Sequence, residues 1–259
     1  MCKLFDGDST PLFPNDGAIE AKTLAHLCGT DLAPELVTFR QVQGKAVLVY
    51  RHLIGSGWSG KTAPVGQLLR RLHSVAPNPL RKLAKDAPEI LNQGDAILSH
   101  LQSTEADHLK KVRPSSPSCM FERVLLHGDP VPSNIVQNDA FLRLIDWQCP
   151  AIGDPTEDLA IFLSPAMQHL FGGRILSGHD VDAFMTAYGH PARSTRYHAL
   201  APLYHWRMAA YCLWKIQTGD TAYKEGYALE LARLEMLTNP DPEKNQPSAN
   251  AHPDNGAHP

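Results

Sequence analysis

The chain has 259 residues, 43% hydrophobic and 20% charged, enough for one large domain or two modest ones around a real core. Its formal charge is −3, with 24 Lys and Arg against 27 Asp and Glu and no long basic run, which speaks against a nucleic-acid partner. No apolar stretch approaches the roughly 20 residues that cross a bilayer, and the five cysteines show no C-x-x-C spacing, so a soluble, cytoplasmic protein with reduced thiols and no membrane partner is expected.

The N-terminal MCKLFDGDST has no apolar core of a signal peptide. Over 18–28 (AIEAKTLAHLC), Ile19, Leu24, Leu27 and Cys28 recur at helical spacing, and Gly29 supplies the stop. ELVTF and KAVLVYRHLI are rich in β-branched and aromatic residues and predict two strands split by the turn Gln43-Gly44. After GSGWSGKT (55–62), PVGQLLRRLHSV predicts a short helix with Pro64 near its start. Residues 79–111 read as helical with a break near Gly94, and PSSPS at 114–118 as a loop. FERVLLHGD and FLRLIDW each run apolar into an aspartate, as strands that end at a site do. From Glu157 to Leu237 the pattern is mostly helical, and 239–259 has almost no large apolar residue, which predicts a disordered tail. There is no internal repeat. The order predicts an α+β arrangement, a small mixed lobe followed by a larger helical one.

The chemistry concentrates in VLLHGDPVPSNIVQNDAFLRLIDWQCPAIGDPTEDLA (124–160). Asp129 is followed five residues later by Asn134, and Asp146 ends the next apolar strand. Phosphoryl transfer asks for a carboxylate that accepts the proton of an acceptor hydroxyl, and for oxygen ligands that hold Mg²⁺ against the phosphates. These three side chains supply that set. Taken singly, Asp129 also reads as a turn residue ahead of Pro130 and Asn134 as an Asx-turn residue; jointly, the chemical reading outweighs those. Asp154 and Asp158 read as capping and loop-bracing groups, and His127 as a buried hydrogen-bonding residue that shapes the loop. Tyr204, Trp206, Tyr211 and Trp214 read first as core, with an acceptor pocket as the other use of such rings.

H-G-D-x-x-x-x-N, then I-D-W, then G-D-P-x-x-D-L-A resembles the aminoglycoside phosphotransferase and choline kinase-like family, small-molecule relatives of protein kinases. LLRRLH (68–73), the segment from Lys3 to Leu36 and LYHWRMAAYCLWKI carry the resemblance over nearly the whole chain to about Leu237. It implies a two-lobed protein-kinase-like fold: a truncated, β-rich nucleotide-binding lobe at 1–54, a helical catalytic and substrate lobe at 55–238, and the tail. It further implies ATP and Mg²⁺ as cofactors, Asp129 as catalytic base, and Asn134 and Asp146 as metal ligands. Lys3 would hold the α- and β-phosphates, paired with Glu20, and Tyr50, Arg51, His52 and Leu53 would form the hinge against adenine. The implied activity is phosphorylation of a hydroxyl on a small polar molecule, aminoglycoside-, choline- or thiamine-like. Gly128 leans toward the aminoglycoside and thiamine kinases, because eukaryotic-type choline kinases tend to have Asn there.

GSGWSGKT also matches the P-loop pattern G-x-x-x-x-G-K-[ST]. No run of alternating strands and helices exists to build the parallel sheet a P-loop needs, and the octamer falls where the family turns from small to large lobe. It is therefore read as a hinge exit, with Gly55 and Gly57 allowing unusual backbone angles. Its match to the kinase G-x-G-x-x-G loop is misplaced, since it follows the lysine. If Lys3 is the ATP lysine, the family's first two strands and phosphate-covering loop should precede it, and only Met1 and Cys2 do. A late start of the reading frame and a natural truncation both account for this. On the second, weak MgATP binding and slow turnover are expected, and a kinase-like binding module is the alternative function, with a P-loop hydrolase behind it.

Overall fold

The computed structural model describes residues 1–5, 10–77, 87–117 and 122–239. The tail predicted at 239–259, apart from Asn239, and residues 79–86 of the predicted helical stretch lie outside the described residues. Strand β1 (Cys2–Phe5) pairs antiparallel with β3 (Lys45–Tyr50), which also pairs with β2 (Leu36–Val42), giving a three-stranded sheet in the order β1-β3-β2. The β2–β3 connection is the predicted Gln43-Gly44, both at positive φ (50° and 79°), which matches the twist of a two-residue hairpin. Predicted strand character through Ile54 ends at Tyr50. β1, with only four residues, went unpredicted. Its alternation turns Leu4 to solvent (62% exposed) and Lys3 and Phe5 inward.

Helix α1 (Gly17–His26) packs against β2 and β3. Asp16 caps it, accepting from the amides of Ala18 and Ile19 at 3.0 Å each. Gly29 follows at φ +78°, as the stop signal requires. Helix α2 (Ala63–Leu72) buries Val65, Leu68, Leu69 and Leu72, the i, i+3, i+4, i+7 stripe of a helix with one face in the core.

Helices α3 (Ala87–Ser99) and α4 (Thr104–Lys111) are separated at 100–103, where Ser103 caps α4. The expected break at Gly94 is a correction. α3 runs straight through it, and a β-carbon there would lie 2.1 Å from Cζ3 of Trp206. That glycine serves close packing against a buried indole, not a change of direction.

Short strands then carry the chain through the centre. β5 (Val124–Leu126) pairs with β8 (Ala151–Gly153), while β4 (Ser56–Gly57), β6 (Ile135–Gln137) and β7 (Leu142–Leu144) form a second three-stranded sheet in the order β4-β6-β7. Every described strand pair is antiparallel. The remainder is helical as predicted: α5 (Thr156–Leu163), α6 (Pro165–Gly172), α7 (Gly178–Tyr188), the long α8 (Pro191–Gln217) and α9 (Tyr223–Thr238). One apolar core runs from Phe5, Leu24 and Leu48 to Trp206 and Leu234. Among the described residues no helix is long and apolar enough to cross a membrane.

Candidate functional site

β5 delivers the chain into His127-Gly128-Asp129. Gly128 has φ +82°, and a β-carbon there would fall 2.1 Å from the Cys149 carbonyl oxygen, so only glycine makes this turn. Asp158, at the start of α5, braces the loop. Its Oδ2 accepts from the His127 amide and its Oδ1 from the Gly128 amide, each at 2.9 Å. His73 faces the same carboxylate at 3.1 Å and is held by the Tyr188 hydroxyl at 2.8 Å.

His127 is wholly buried, its Nε2 2.9 Å from the Ile145 carbonyl and its Nδ1 accepting from the Asp129 amide at 3.2 Å. Burial holds its pKa below the ordinary value, consistent with a neutral, shape-giving imidazole. Asp154 accepts from the Thr156 amide and hydroxyl and pairs with Arg196 at 2.5 Å. Both aspartates do the structural work read from the sequence.

After Asp129 a 3₁₀ turn, Pro132–Asn134, brings the chain back. The Asn134 Nδ2 donates to the Asp129 carbonyl at 3.0 Å and to its Oδ2 at 3.2 Å, closing the five-residue step. The Ile145 amide donates to the Asn134 carbonyl at 2.9 Å, which ties this turn to the strand that presents Asp146. Asp146 takes φ +61°, an uncommon backbone for a residue with a side chain, costing about 1–3 kcal/mol. Its carboxylate pairs with the Lys3 ammonium, which also donates to Glu20 at 2.8 Å and to Gln148 at 3.3 Å.

Asp129, Asn134 and Asp146 line one recess of about 320 Å³, together with Gln148, Phe13, Tyr211 and Tyr223. Burial, and next the Asp146 charge, push the Asp129 carboxyl up to about 7, against the Asn134 hydrogen bond. Lys3 keeps a raised pKa although burial opposes its charge, because the Glu20 and Asp146 carboxylates hold it protonated. Glu20 is 1% exposed, and burial pushes its carboxyl upward against the pull of Lys3.

The residues expected to form the hinge divide. Tyr50 is half-buried near the Lys3–Glu20–Asp146 group, and its amide donates to the Met1 carbonyl at 3.1 Å. The Arg51 amide donates to the Glu35 carbonyl at 2.8 Å, and its guanidinium pairs with Glu35 in solvent. His52 and Leu53 lie in the extended exit that follows.

Gln148, Phe13 and Tyr223 were not singled out from the sequence. Gln148 lies only two residues past Asp146, which was a usable signal; Phe13 and Tyr223 carry none. Of the four rings weighed for the acceptor pocket, Tyr211 lines the recess, edge-on to Phe13 at 5.2 Å and to Tyr223 at 6.0 Å. Tyr204 and Trp206 are buried core, and Trp214 stacks behind Tyr211 at 5.8 Å.

The octamer takes no part in the recess. Ser56 and Gly57 pair with Gln137 and Val136, and the Trp58 amide donates to the Ile135 carbonyl at 2.9 Å. Lys61 is exposed, and the Thr62 hydroxyl is spent on the Asp180 carbonyl at 2.6 Å. With antiparallel neighbours and its threonine committed, it is not a P-loop. The expected unusual angles are also corrected, since neither Gly55 nor Gly57 has positive φ. Gly55 is needed for closeness, because a β-carbon would sit 2.5 Å from the Gln137 carbonyl oxygen.

Two carboxylates and an amide in one recess are hard oxygen donors. The donor set suits Mg²⁺. Among the described residues no group of three or more His, Cys, Asp or Glu is placed to hold a metal by itself.

The model of a phosphotransferase enzyme family, APH, matches residues 10–203. No curated protein matches the sequence significantly. Among solved structures, a choline/ethanolamine kinase family protein from Mesorhizobium loti superposes with a TM-score of 0.63 at 16% identity, over 89% of this chain and 82% of its own. An ethanolamine kinase from Plasmodium vivax gives 0.58 at 13%, over 86% and 74%. A spectinomycin phosphotransferase solved with ADP and spectinomycin gives 0.52 at 15%, over 86% and 82%. At these identities the likeness is one of fold, a kinase-like one.

Proposed function

The chain belongs to the phosphotransferase enzyme family, and from that premise we propose that it transfers the γ-phosphoryl group of ATP, with Mg²⁺, to a hydroxyl of a small polar molecule. The observation that carries the reading is the convergence of Asp129, Asn134 and Asp146 in one recess beside the Lys3–Glu20 pair. The Asp129 carboxylate accepts the hydroxyl proton as that oxygen bonds to the γ-phosphorus and the bond to the departing ADP oxygen breaks. Asn134 and Asp146 would hold the metal, and Lys3, fixed by Glu20, would grip the α- and β-phosphates. When bound, Mg²⁺ neutralises charge on the phosphate oxygens. The residue roles, the hinge at Tyr50 to Leu53 and the division into a nucleotide-binding lobe (1–54) and a helical catalytic lobe (55–238) belong to this proposal.

The acceptor site is the ring-lined side of the recess. Phe13, Tyr211 and Tyr223 offer apolar and π faces to an organic alcohol near the base. The solved relatives named for choline, ethanolamine and spectinomycin favour an aminoglycoside- or amino-alcohol-like acceptor.

ATP consumption measured with a panel of such alcohols tests the reading. Asp129→Ala is expected to lower transfer by about 10²–10⁴-fold, while Lys61→Ala leaves it nearly intact. The reverse pattern would return the chemistry to the octamer. Nucleotide binding without consumption, whatever the alcohol, would support a binding module instead.

A further inference from the structure

A second cavity, of about 400 Å³, opens between the α5–α6 junction, the start of α7, the first half of α8 and the second half of α9. It shares no lining residue with the recess; α6 turns Pro165 to this cavity and Met167 and Phe171 to the other. Its walls are apolar, built by Leu163, Leu176, Val181 and Leu229. His198, Arg233 and Met236 are exposed and form part of its mouth. Of the three buried residues in the lining, however, two are polar: Tyr197, 6% exposed, and His205, 4%, beside Leu163.

Glu230, wholly buried on α9, fixes the histidine. Its Oε1 accepts from the Ser164 hydroxyl and from the Ala166 amide at 3.1 Å, and its Oε2 lies 2.6 Å from the His205 Nδ1. A carboxylate in that position takes the Nδ1–H, which leaves the lone pair of the neutral imidazole on Nε2. Among the described residues nothing bonds to that Nε2, and nothing bonds to the Tyr197 hydroxyl. Burial pushes the Tyr197 pKa above its ordinary value, so the hydroxyl keeps its proton and can donate. Both side chains also line a hollow of about 10 Å³, room for one water at most, so any larger partner comes from the 400 Å³ side. Buried polar groups are nearly always paired. Here an acceptor and a donor stand open on an apolar cavity.

We propose that this cavity binds a small apolar molecule carrying a hydroxyl group, with the His205 Nε2 and the Tyr197 hydroxyl as its polar contacts. The volume lies in the range of small-molecule sites, about 300–1,000 Å³, and apolar walls with a few placed polar groups are their usual make-up. A hydroxyl both donates and accepts, as the two open groups require. A carboxylate has no proton to give the Nε2 lone pair and would stand near the buried Glu230 charge. The proposal is independent of the phosphoryl-transfer reading.

Calorimetric titration of the full chain with naphthol near neutral pH tests it without reference to activity. One saturable site is expected. The methyl ether of naphthol has the same rings and no O–H, and is expected to bind about tenfold more weakly; naphthoate, the matching acid, is expected to bind more weakly than naphthol. Tyr197→Phe removes one hydroxyl that bonds to no described residue, so it should fold normally and weaken naphthol about fivefold. Ala232→Trp, at an exposed position in the lining, is expected to plug the cavity and abolish binding. Tyr197→Phe decides the matter if that variant does not fold. Four results overturn the proposal: no saturable binding, equal affinity for the methyl ether, indifference to Tyr197→Phe or to a folded Ala232→Trp, and a preference for naphthoate, which would assign the cavity to an anion at Arg233.

Discussion

Gly128 and Asp146 show how much of the recess depends on single backbones. Both have positive φ; at Gly128 the Cys149 carbonyl also leaves no room for a side chain, and at Asp146 the carboxylate meets Lys3. Adding one methyl at 128 combines the left-handed cost with a clash against backbone that cannot slide away. Gly128→Ala is therefore expected to lose about 2–4 kcal/mol of stability, read as a lower urea midpoint at unchanged slope. If it melts like the parent chain, the Asp158-braced loop is softer than its hydrogen bonds imply. Gly57→Ala, at a position where nothing lies within 4 Å of a β-carbon, is the control.

At the scale of elements, the helices follow local rules closely enough to predict titrations. α7 opens with a full capping box: Ser177 accepts from the Asp180 amide, and Asp180 accepts from Ser177 and from Arg174. Those partners, Arg174 first, hold the Asp180 carboxyl well below the ordinary range. A depressed carboxyl pKa contributes stability that is present above the unfolded value of about 3.9 and is lost as pH falls through the folded one. The stability gap between the parent chain and Asp180→Asn is thus expected to be constant from pH 8 to 5 and to shrink below pH 4, by circular-dichroism melts. Because Asp180 is near the surface, the gap is that of an ordinary cap, about 1 kcal/mol. A gap that widens on acidification contradicts the assignment.

Across the whole molecule, buried charge links helices that are far apart in the chain. Arg207 of α8 meets Glu157 of α5 at 2.6 Å, both nearly fully buried, with Gln93 of α3 accepting from the same guanidinium at 2.6 Å. Burial works against the Arg207 charge, and Glu157 holds it above its usual value. Glu157→Gln leaves an uncompensated cation inside and is expected to cost about 3–5 kcal/mol in chemical denaturation. The double variant Glu157→Leu with Arg207→Met is expected to recover a large part of that loss, because the desolvated charges leave together. Additive losses would mean that the pair is not what joins these helices.

Local periodicity, turn chemistry and motif spacing determined most of the helices, the Gln43-Gly44 hairpin and the trio at 129, 134 and 146 that meets in one recess. Each is written within a few consecutive residues: an i, i+3, i+4, i+7 stripe, two left-handed positions, a five-residue return. Only the tertiary structure decided the rest. Strands β1, β4, β6 and β8 are two to four residues long, too short for alternation to register, and exist because a distant segment pairs with them. The octamer's chemistry was decided by the strand it met, Gly94's role by an indole more than a hundred residues away, and the ring-lined side of the recess by helices near the chain's end. Lys3 reaches Asp146 across 143 residues of sequence. Contacts between distant positions leave no period in a sequence, so they become visible only when the fold closes the distance.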